Sequence, residues 1–168
     1  EVFLMRVIPY LVGPKIYSGT VLSFIDISAL RKAEKELNRM ADQYRYVFEN
    51  MLQGAVFQDA TGKIVSANKA SEEILGLTRN QILGRDSLDP RCATVYPDGT
   101  PLPGAKHPAM TSLKTGKPVI DCIMGVSNPL ENGIRWIRVN AIPRFVPGQK
   151  KPEGVFTTFE DITDEYLL

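Results

Sequence analysis

The chain has 168 residues, a length that accommodates one domain, or one domain and a fragment of another. Its 20 lysines and arginines nearly balance its 19 aspartates and glutamates, which argues against a basic surface for nucleic acid or anionic membranes. Apolar residues make up 43% of the chain, yet no apolar run approaches the roughly 20 residues that span a bilayer. We therefore expect no membrane contact in this segment, and its two cysteines, which form no disulfide framework, favour a reducing, cytoplasmic setting.

The first segment predicts a β-hairpin. Residues 2–12 and 16–25 are rich in β-branched and aromatic residues, and Gly13-Pro14 separates the two runs. Because a hairpin without its sheet has open strand edges, we expect it to pack against a partner chain or another sheet edge.

A heptad pattern then predicts a linker helix over residues 29–52. Apolar residues recur in alternating steps of three and four, and charged residues fill the other faces. Gly and Pro are absent from residues 20–53, so nothing interrupts the helix. We expect the apolar seam to pair with a second copy of the chain; a helix lying on its own domain's core is the alternative. The seam comprises Leu30, Leu37, Met40, Tyr44, Val47 and Met51.

Short strands and short helices follow the linker. Two strand-like runs flank the turn at residues 60–62, and Asn68 is placed to cap the next helix. Gly76 is expected to end that helix in the left-handed conformation. One more helical piece is predicted between Thr78 and Gly84.

The second half of the chain ends in three longer strands. Four prolines make residues 85–105 irregular, and a helix is predicted from Pro108 to Leu113, with Gly116 as its stop. The three strands are predicted at residues 119–126, 134–146 and 154–162.

The chain also contains a partial internal repeat. Residues 19–28 align without gaps on residues 154–163, and Ile8-Pro9 upstream matches Ile142-Pro143. Both copies end in Asp-Ile-Ser or Asp-Ile-Thr, and a charged or helical segment follows each. We infer that the chain holds the last two strands of one unit, a connecting helix, and a complete second unit.

The second unit resembles a PAS domain. Residues 57–70 look like that family's opening hairpin and the Asn that begins its next helix, and residues 161–163 look like its closing Asp-Ile-Thr motif. The resemblance implies an α+β fold, a five-stranded antiparallel sheet flanked by short helices, preceded here by a long linker helix and a β-hairpin. It divides the chain into the closing hairpin of a preceding PAS domain, the linker helix, the PAS domain and the start of an exit linker, at residues 1–28, 29–52, 53–163 and 164–168.

The resemblance implies signalling without catalysis by this fragment. PAS modules usually precede histidine kinases, diguanylate cyclases or further PAS domains. We therefore expect a homodimeric module that senses or relays a signal to adjacent domains of its parent chain, by rearrangement of the linker helix. A passive dimerisation or spacer domain without a ligand is the alternative. The residues expected to couple sheet and helix are Asp26, Ile27, Ser28, Asp161, Ile162 and Thr163.

A ligand of a PAS domain usually lies between the sheet and the short helices. We expect this pocket to involve Phe57, Cys122, Trp136 and Arg138. Strand alternation puts Arg135 and Arg138 on opposite faces, so one of the two could point inward and bind a carboxylate. No cofactor is expected, and a small organic acid is the alternative to an empty pocket.

Neither haem nor flavin is expected in that pocket. Cys92 and Cys122 have no metal-site spacing, and Cys92 lacks the sequence context of the flavin-adduct photosensors of this fold. Cys122 is expected to act as a small hydrophobic residue. His107, the single histidine, lies between a lysine and a proline at a helix start, so we expect it to face solvent rather than ligate haem.

Enzymatic chemistry finds little support in the sequence. The chain has no Ser-His-Asp set, no phosphate-binding loop and no metal-spaced cluster. Asp86, Asp89 and Asp98 lie in the proline-rich stretch, where we expect solvated loop carboxylates rather than an acid–base pair.

Overall fold

The computed structural model describes residues 1–14, 16–89 and 93–168. They form two compact units, Glu1–Tyr46 and Val47–Leu168. Among the described residues, no helix combines the length and apolarity needed to cross a membrane.

The first unit contains the predicted hairpin, which consists of the antiparallel strands β1 (Phe3–Gly13) and β2 (Ile16–Asp26). Their pairing is regular from Phe3–Asp26 to Tyr10–Gly19. The β-branched and aromatic residues that favour strands also make both faces of the hairpin apolar. Exposed apolar side chains include Phe3, Met5, Val7, Leu22 and Phe24 on one face, and Leu4, Ile8, Val21 and Ile25 on the other.

The linker helix α1 (Ser28–Asn50) confirms the heptad prediction to within two residues at its C-terminus. Its first part belongs to the first unit and its last turn, residues 47–50, to the second. Ion pairs one turn apart, such as Arg39–Glu36 at 2.7 Å, are exposed and add little stability. The predicted seam residues within the helix are exposed, and Phe48 is the buried side chain of this helix.

The second unit is built on an antiparallel sheet with the spatial order β4-β3-β8-β7-β6-β5. The sequence predicts five of these strands. The addition is β5, a two-residue strand that pairs with Gly125 and Val126 at the sheet edge. The surrounding prolines exclude a long strand there but leave two residues free to pair. The strands are β3 (Gly54–Asp59), β4 (Ile64–Ala67), β5 (Thr94–Val95), β6 (Val119–Asn128), β7 (Gly133–Arg144) and β8 (Gly154–Asp161).

Short helices cover the sheet, and the three that the sequence predicts lie within two residues of their expected bounds. Asn68 caps the first of them by accepting a hydrogen bond from the Ser71 N–H at 3.0 Å. Gly76 and Gly116 end two helices at φ values of 65° and 66°, which glycine adopts without steric cost. The helices are α2 (Lys69–Leu75), α3 (Arg79–Ile82), a 3₁₀ turn (Gly104–Lys106), α4 (Pro108–Thr115) and α5 (Thr163–Tyr166).

The core of the second unit lies between the helices and one face of the sheet, called the inner face here. Each large aliphatic side chain buried there contributes about 1.5–3 kcal/mol. Because successive side chains of a strand point to opposite faces of the sheet, Phe57 lies on the other face, called the outer face here. It packs there between Phe48 and Phe156. Core residues of the inner side include Val56, Ile74, Ile82, Leu102, Met124, Val126, Ile137, Val139 and Phe159.

Candidate functional site: a cavity and two helix junctions

A cavity of about 310 Å³ lies between the inner face and the short helices of the second unit. Its volume is at the lower end of the range of about 300–1,000 Å³ that is usual for ligand sites. The apolar lining residues include Ile64, Leu75, Leu77, Ile82, Met124 and Val126. The polar lining residues include Gln58, Arg85, Asp86, Thr94 and His107.

Three of the four residues expected in the pocket lie on the opposite face of the sheet. Phe57 packs on Phe156 with ring centroids 4.6 Å apart, and Trp136 stacks on Tyr166 at 4.2 Å. Arg138 forms ion pairs with two glutamates at 3.4–3.5 Å. Their strand neighbours at positions 58, 137 and 139 are the ones that face inward, because side chains alternate along a strand.

The remaining candidates differ in their surroundings. Cys122 is half-buried and is not among the residues that line the cavity. Burial raises the pKa of its thiol, and the neutral thiol packs like a small hydrophobic side chain. Arg135 lies on the inward-facing register of β7, but its guanidinium is ion-paired with Glu131 and Asp161. Cys92 lies outside the described residues. The cavity is thus lined by other residues than those expected from the sequence.

His107 corrects another expectation, because it is only 8% exposed and lines the cavity. Its Nε2 lies 2.7 Å from Thr94 Oγ1, which in turn donates to the Leu102 carbonyl at 3.0 Å. A hydroxyl has one proton, so this arrangement assigns the Nε2–H as the donor to Thr94. Burial lowers the pKa of His107, with the Leu102 carbonyl opposing, and favours the neutral ring. The short strand β5 brings Thr94 to the ring, a long-range pairing that the local sequence did not indicate.

An N-terminal junction joins the end of α1 to the sheet and to α2 through Asn68, which is fully buried. Its Oδ1 accepts hydrogen bonds from the Ala55 N–H at 2.9 Å and from the Ser71 N–H at 3.0 Å. Its Nδ2 donates to the carbonyls of Phe48 at 3.0 Å and Gln53 at 2.9 Å. One side chain therefore connects the last turn of α1, the first strand and the first helix of the domain.

An ion-pair group reinforces the N-terminal junction. The Arg79 guanidinium lies 2.8 Å from Glu49 and 3.6 Å from Glu72. Glu49 also accepts a hydrogen bond from the Lys69 N–H at 3.1 Å. The last turn of α1 is thus tied to the first turns of both α2 and α3.

A C-terminal junction is built from the closing motif. Asp161 Oδ1 accepts hydrogen bonds from the Thr163 N–H at 2.9 Å and from the Thr163 hydroxyl at 2.6 Å. Thr163 Oγ1 accepts from the Trp136 N–H at 3.0 Å, and the N–H of the buried Ile162 donates to the Trp136 carbonyl at 2.8 Å. The start of α5 is therefore fixed to the neighbouring strand β7.

Arg135 links the C-terminal junction to α2. Its Nη1 lies 3.2 Å from Asp161 Oδ2 and donates to the Glu73 carbonyl at 3.2 Å. A cation at the C-terminal carbonyls of a helix is favourable because the helix dipole is negative there. Arg135 also pairs with Glu131, and its hydrogen bonds lower the pKa of Glu131.

The hairpin of the first unit repeats the pattern of the C-terminal junction. The Val2 N–H donates to Ser28 Oγ at 2.8 Å, and the Ile27 N–H donates to the Val2 carbonyl at 2.9 Å. Asp26 Oδ1 accepts from the Ser28 N–H at 2.9 Å, and its bonds to Ser28 lower the pKa of Asp26. Val2, Asp26 and Ser28 correspond to Trp136, Asp161 and Thr163 in these contacts.

Two of the three loop carboxylates, Asp86 and Asp98, accept hydrogen bonds within their own turns. Asp86 Oδ1 accepts from the Leu88 N–H at 2.9 Å. Asp98 accepts from the N–H and the hydroxyl of Thr100, and these bonds lower the pKa of Asp98. Among the described residues, no three His, Cys, Asp or Glu side chains are grouped as metal ligands would be.

Comparison with known proteins agrees with this architecture. The sequence pattern of the PAS fold matches residues 48–167, so the chain belongs to the PAS family. A PAS domain is typically non-catalytic. A solved PAS domain of a protein from Colwellia psychrerythraea is 18% identical, with a TM-score of 0.57, and covers 74% of this chain and 98% of its own. The PAS domain of an HTR-like protein from Haloarcula marismortui is 17% identical, with a TM-score of 0.59 over 79% and 99% of the two chains.

Two further similar proteins are named as kinases. A domain of a sensory box sensor histidine kinase/response regulator from Geobacter sulfurreducens is 20% identical, with a TM-score of 0.53 over 74% of this chain and 96% of its own. Sporulation kinase E of Bacillus subtilis is 28% identical over 85 residues, 50% of this chain. The match covers 12% of that kinase.

Proposed function

We propose that the second unit is a relay module of a multidomain signalling protein, in which α2 couples the cavity to both helix junctions. The observation that carries the proposal is the position of α2. Asn68 connects its N-terminus to the last turn of α1, and Arg135 connects its C-terminus to Asp161. Leu75, the last residue of α2, lines the cavity between these two connections.

The contacts suggest how a signal would pass. A ligand that displaces Leu75 would shift the C-terminal carbonyls of α2, and with them the donor group of Arg135. The hydrogen bonds between Thr163 and Asp161 would then change, and with them the position of the start of α5. The same shift of α2 would act on the α1 carbonyls through Asn68. A bias of a few kcal/mol is enough to change the populations of two such states.

The relatives support a sensory role for the parent protein. One of them is a sporulation kinase, and another is a domain of a sensor histidine kinase/response regulator. We propose that this chain likewise serves an output domain of the kinase or cyclase type, located beside it in a longer protein.

We further propose that the first unit relays signals in series with the second. Its hairpin and junction have the same pairing and contacts as those of β7 and β8. This similarity supports the assignment of the first unit as the closing part of a preceding PAS domain. The exposed seam of α1 would pair with a second copy of the chain, with Leu30, Leu37 and Met40 at the interface.

Hydrogen–deuterium exchange of the Arg135→Gln variant tests the relay. We expect faster exchange not only in α2 and at Thr163 but also in the last turn of α1, because α2 is the element that joins them. Arg138→Gln is the matched control, since Arg138 lies on the same strand and pairs only with exposed glutamates in the described structure. Faster exchange confined to the neighbours of Arg135, with the last turn of α1 unchanged, would overturn the proposal.

A further inference from the structure

The described lining of the cavity in the second unit includes one charged side chain, Arg85, that has no partner among the described residues. Among the described residues, none forms a hydrogen bond or ion pair with the guanidinium of Arg85, which is half-buried in the lining. Its main chain is fixed, however, because the Arg85 carbonyl accepts from the Ile64 N–H at 2.8 Å and its N–H donates to the Ile82 carbonyl at 3.2 Å. The position of Arg85 is therefore set by the fold, while its cationic group stays available.

The other strongly polar groups of the lining are already engaged. Gln58 donates to the Gly62 carbonyl at 3.1 Å and accepts from the Thr157 hydroxyl at 3.0 Å. Thr94 and His107 bond to each other, and Asp86 accepts from the main chain of its own turn. The unused bonding capacity of the cavity thus includes the guanidinium of Arg85, a planar group suited to bind a carboxylate through two parallel hydrogen bonds.

We propose that the cavity binds a small monocarboxylate with an apolar body, whose carboxylate pairs with Arg85. This inference rests on the proposed relay function and names its ligand. Six aliphatic or thioether side chains provide the surface for the apolar body: Ile64, Leu75, Leu77, Ile82, Met124 and Val126. The volume of about 310 Å³ restricts the ligand to a small molecule.

The charges of the lining favour a single carboxylate over a polyanion. Burial lowers the pKa of His107 and favours its neutral form, so the ring adds no second positive charge. Asp86 brings a negative charge next to Arg85. A phosphate or a dicarboxylate would bring a second negative charge, which no further cation of the described lining would balance. A monocarboxylate brings one negative charge, which Arg85 alone can balance.

The ligand would directly contact α2, the helix that carries the proposed relay. Leu75 and Leu77 flank the C-terminal end of α2, where Arg135 holds the Glu73 carbonyl. An apolar body in the cavity would contact this end of α2. Binding and relay would therefore be connected through the same helix.

Isothermal titration of the full chain with matched six-carbon compounds tests the ligand class. We expect hexanoate to bind and to raise the melting temperature, and hexanamide and hexylamine to bind at least about tenfold more weakly, since they lose the charge-assisted pair. Norleucine tests the alternative that the cavity binds an amino acid, whose ammonium group would pair with Asp86. It too is expected to bind at least about tenfold more weakly than hexanoate.

Two variants locate the carboxylate. Arg85→Gln should weaken hexanoate binding at least about tenfold with an unchanged melting temperature of the free chain, whereas Arg138→Gln should leave the affinity unchanged. Binding of hexanamide or norleucine as tight as that of hexanoate, unchanged affinity in Arg85→Gln, or no binding of hexanoate would each overturn the assignment. The relay itself is tested without ligand, by exchange in Arg135→Gln, so the two proposals can fail separately.

Discussion

The two hairpins of this chain have the same pairing and very different surroundings. The pairs from Phe3–Asp26 to Tyr10–Gly19 in β1 and β2 correspond one to one with those from Ile137–Asp161 to Arg144–Gly154 in β7 and β8. Both hairpins pass into a helix through an Asp whose carboxylate bonds to a Ser or Thr two residues on. Yet Phe159 is 5% exposed in its core, while its counterpart Phe24 is 62% exposed.

This difference shows which features of the β7–β8 hairpin are local. Register and junction geometry need only the two strands and the Asp-Ile-Ser/Thr turn, because both are present where no core covers the strands. Burial needs the rest of the domain. The outer faces differ as well, since the cross-strand pair Arg138–Glu160 is replaced by Leu4–Ile25 in the first unit. The first hairpin is therefore apolar on both faces, as a strand pair covered on both sides would be.

The largest expected effect separates the buried from the exposed phenylalanine. Phe159→Ala removes a core ring and should lower the free energy of unfolding by about 3–5 kcal/mol. The matched change Phe24→Ala should cost less than about 1 kcal/mol, because its ring is largely solvated. Urea denaturation of both variants at low protein concentration measures the pair. Equal losses would mean that the first hairpin is covered in solution.

The next effect compares the two junctions. Asp161→Ala removes the bonds to Thr163 and the ion pair with Arg135, and should cost about 1 kcal/mol after allowance for solvent screening of a side chain that is a third exposed. Asp26→Ala, which removes only the bonds to Ser28, should cost less. Thermal unfolding of the two variants provides the comparison. A larger loss for Asp26→Ala would contradict the role given to Arg135.

A smaller effect is expected when the outer face of the first hairpin is made like that of the second. The double variant Leu4→Arg with Ile25→Glu introduces the Arg138–Glu160 pair at corresponding, exposed positions. We expect unchanged β-structure by circular dichroism, a stability change below about 0.5 kcal/mol, and weaker self-association by analytical ultracentrifugation. Loss of the β signal would show that the hairpin needs this apolar face to form.

The last effect is a dependence of stability on pH, and it is expected in the second unit, which has a buried core. Burial lowers the pKa of His107 in the folded state, so the unfolded chain takes up a proton more readily below the ordinary histidine pKa of about 6.5. Stability should therefore fall as the pH drops from 7.5 to 5.5, by less than about 1.4 kcal/mol per pH unit from this group. His107→Gln should show a shallower decline in urea denaturation across this range. Parallel declines in the two proteins would place the ring in solvent.

Much of this fold was predictable because its signals are local. The caps at Asn68 and Thr78, the left-handed glycines at 76 and 116, and the heptad helix each depend on residues a few positions apart. The internal repeat added the equivalence of the two hairpins. The two-residue strand β5 was not predicted, since a pairing of Thr94 with Val126 has no signature in a stretch rich in proline.

The candidate site was harder to predict because its chemistry depends on which face a side chain occupies. The sequence shows that side chains alternate between the two faces of a strand, but not which face is buried. Phe57, Trp136 and Arg138 therefore face away from the pocket in which the sequence places them. Arg85 and His107 lie in or beside the irregular segment, where no periodicity reports burial. Asn68 was identified as a helix cap, and its bonds to the α1 carbonyls depend on contacts 15 to 20 residues away.

A double-mutant cycle between Asn68 and Arg135 tests the central claim, that α2 transmits changes between the two junctions. Asn68→Ser keeps a cap for α2 but removes the amide donors to Phe48 and Gln53, and Arg135→Gln releases Asp161 and the end of α2. The two side chains share no bonding partner among the described residues, so an inert α2 predicts additive losses within about 0.5 kcal/mol. We predict a coupling energy of about 0.5–2 kcal/mol by urea denaturation, with additivity when Arg138→Gln replaces Arg135→Gln. Additive losses in both cycles would contradict a relay through α2.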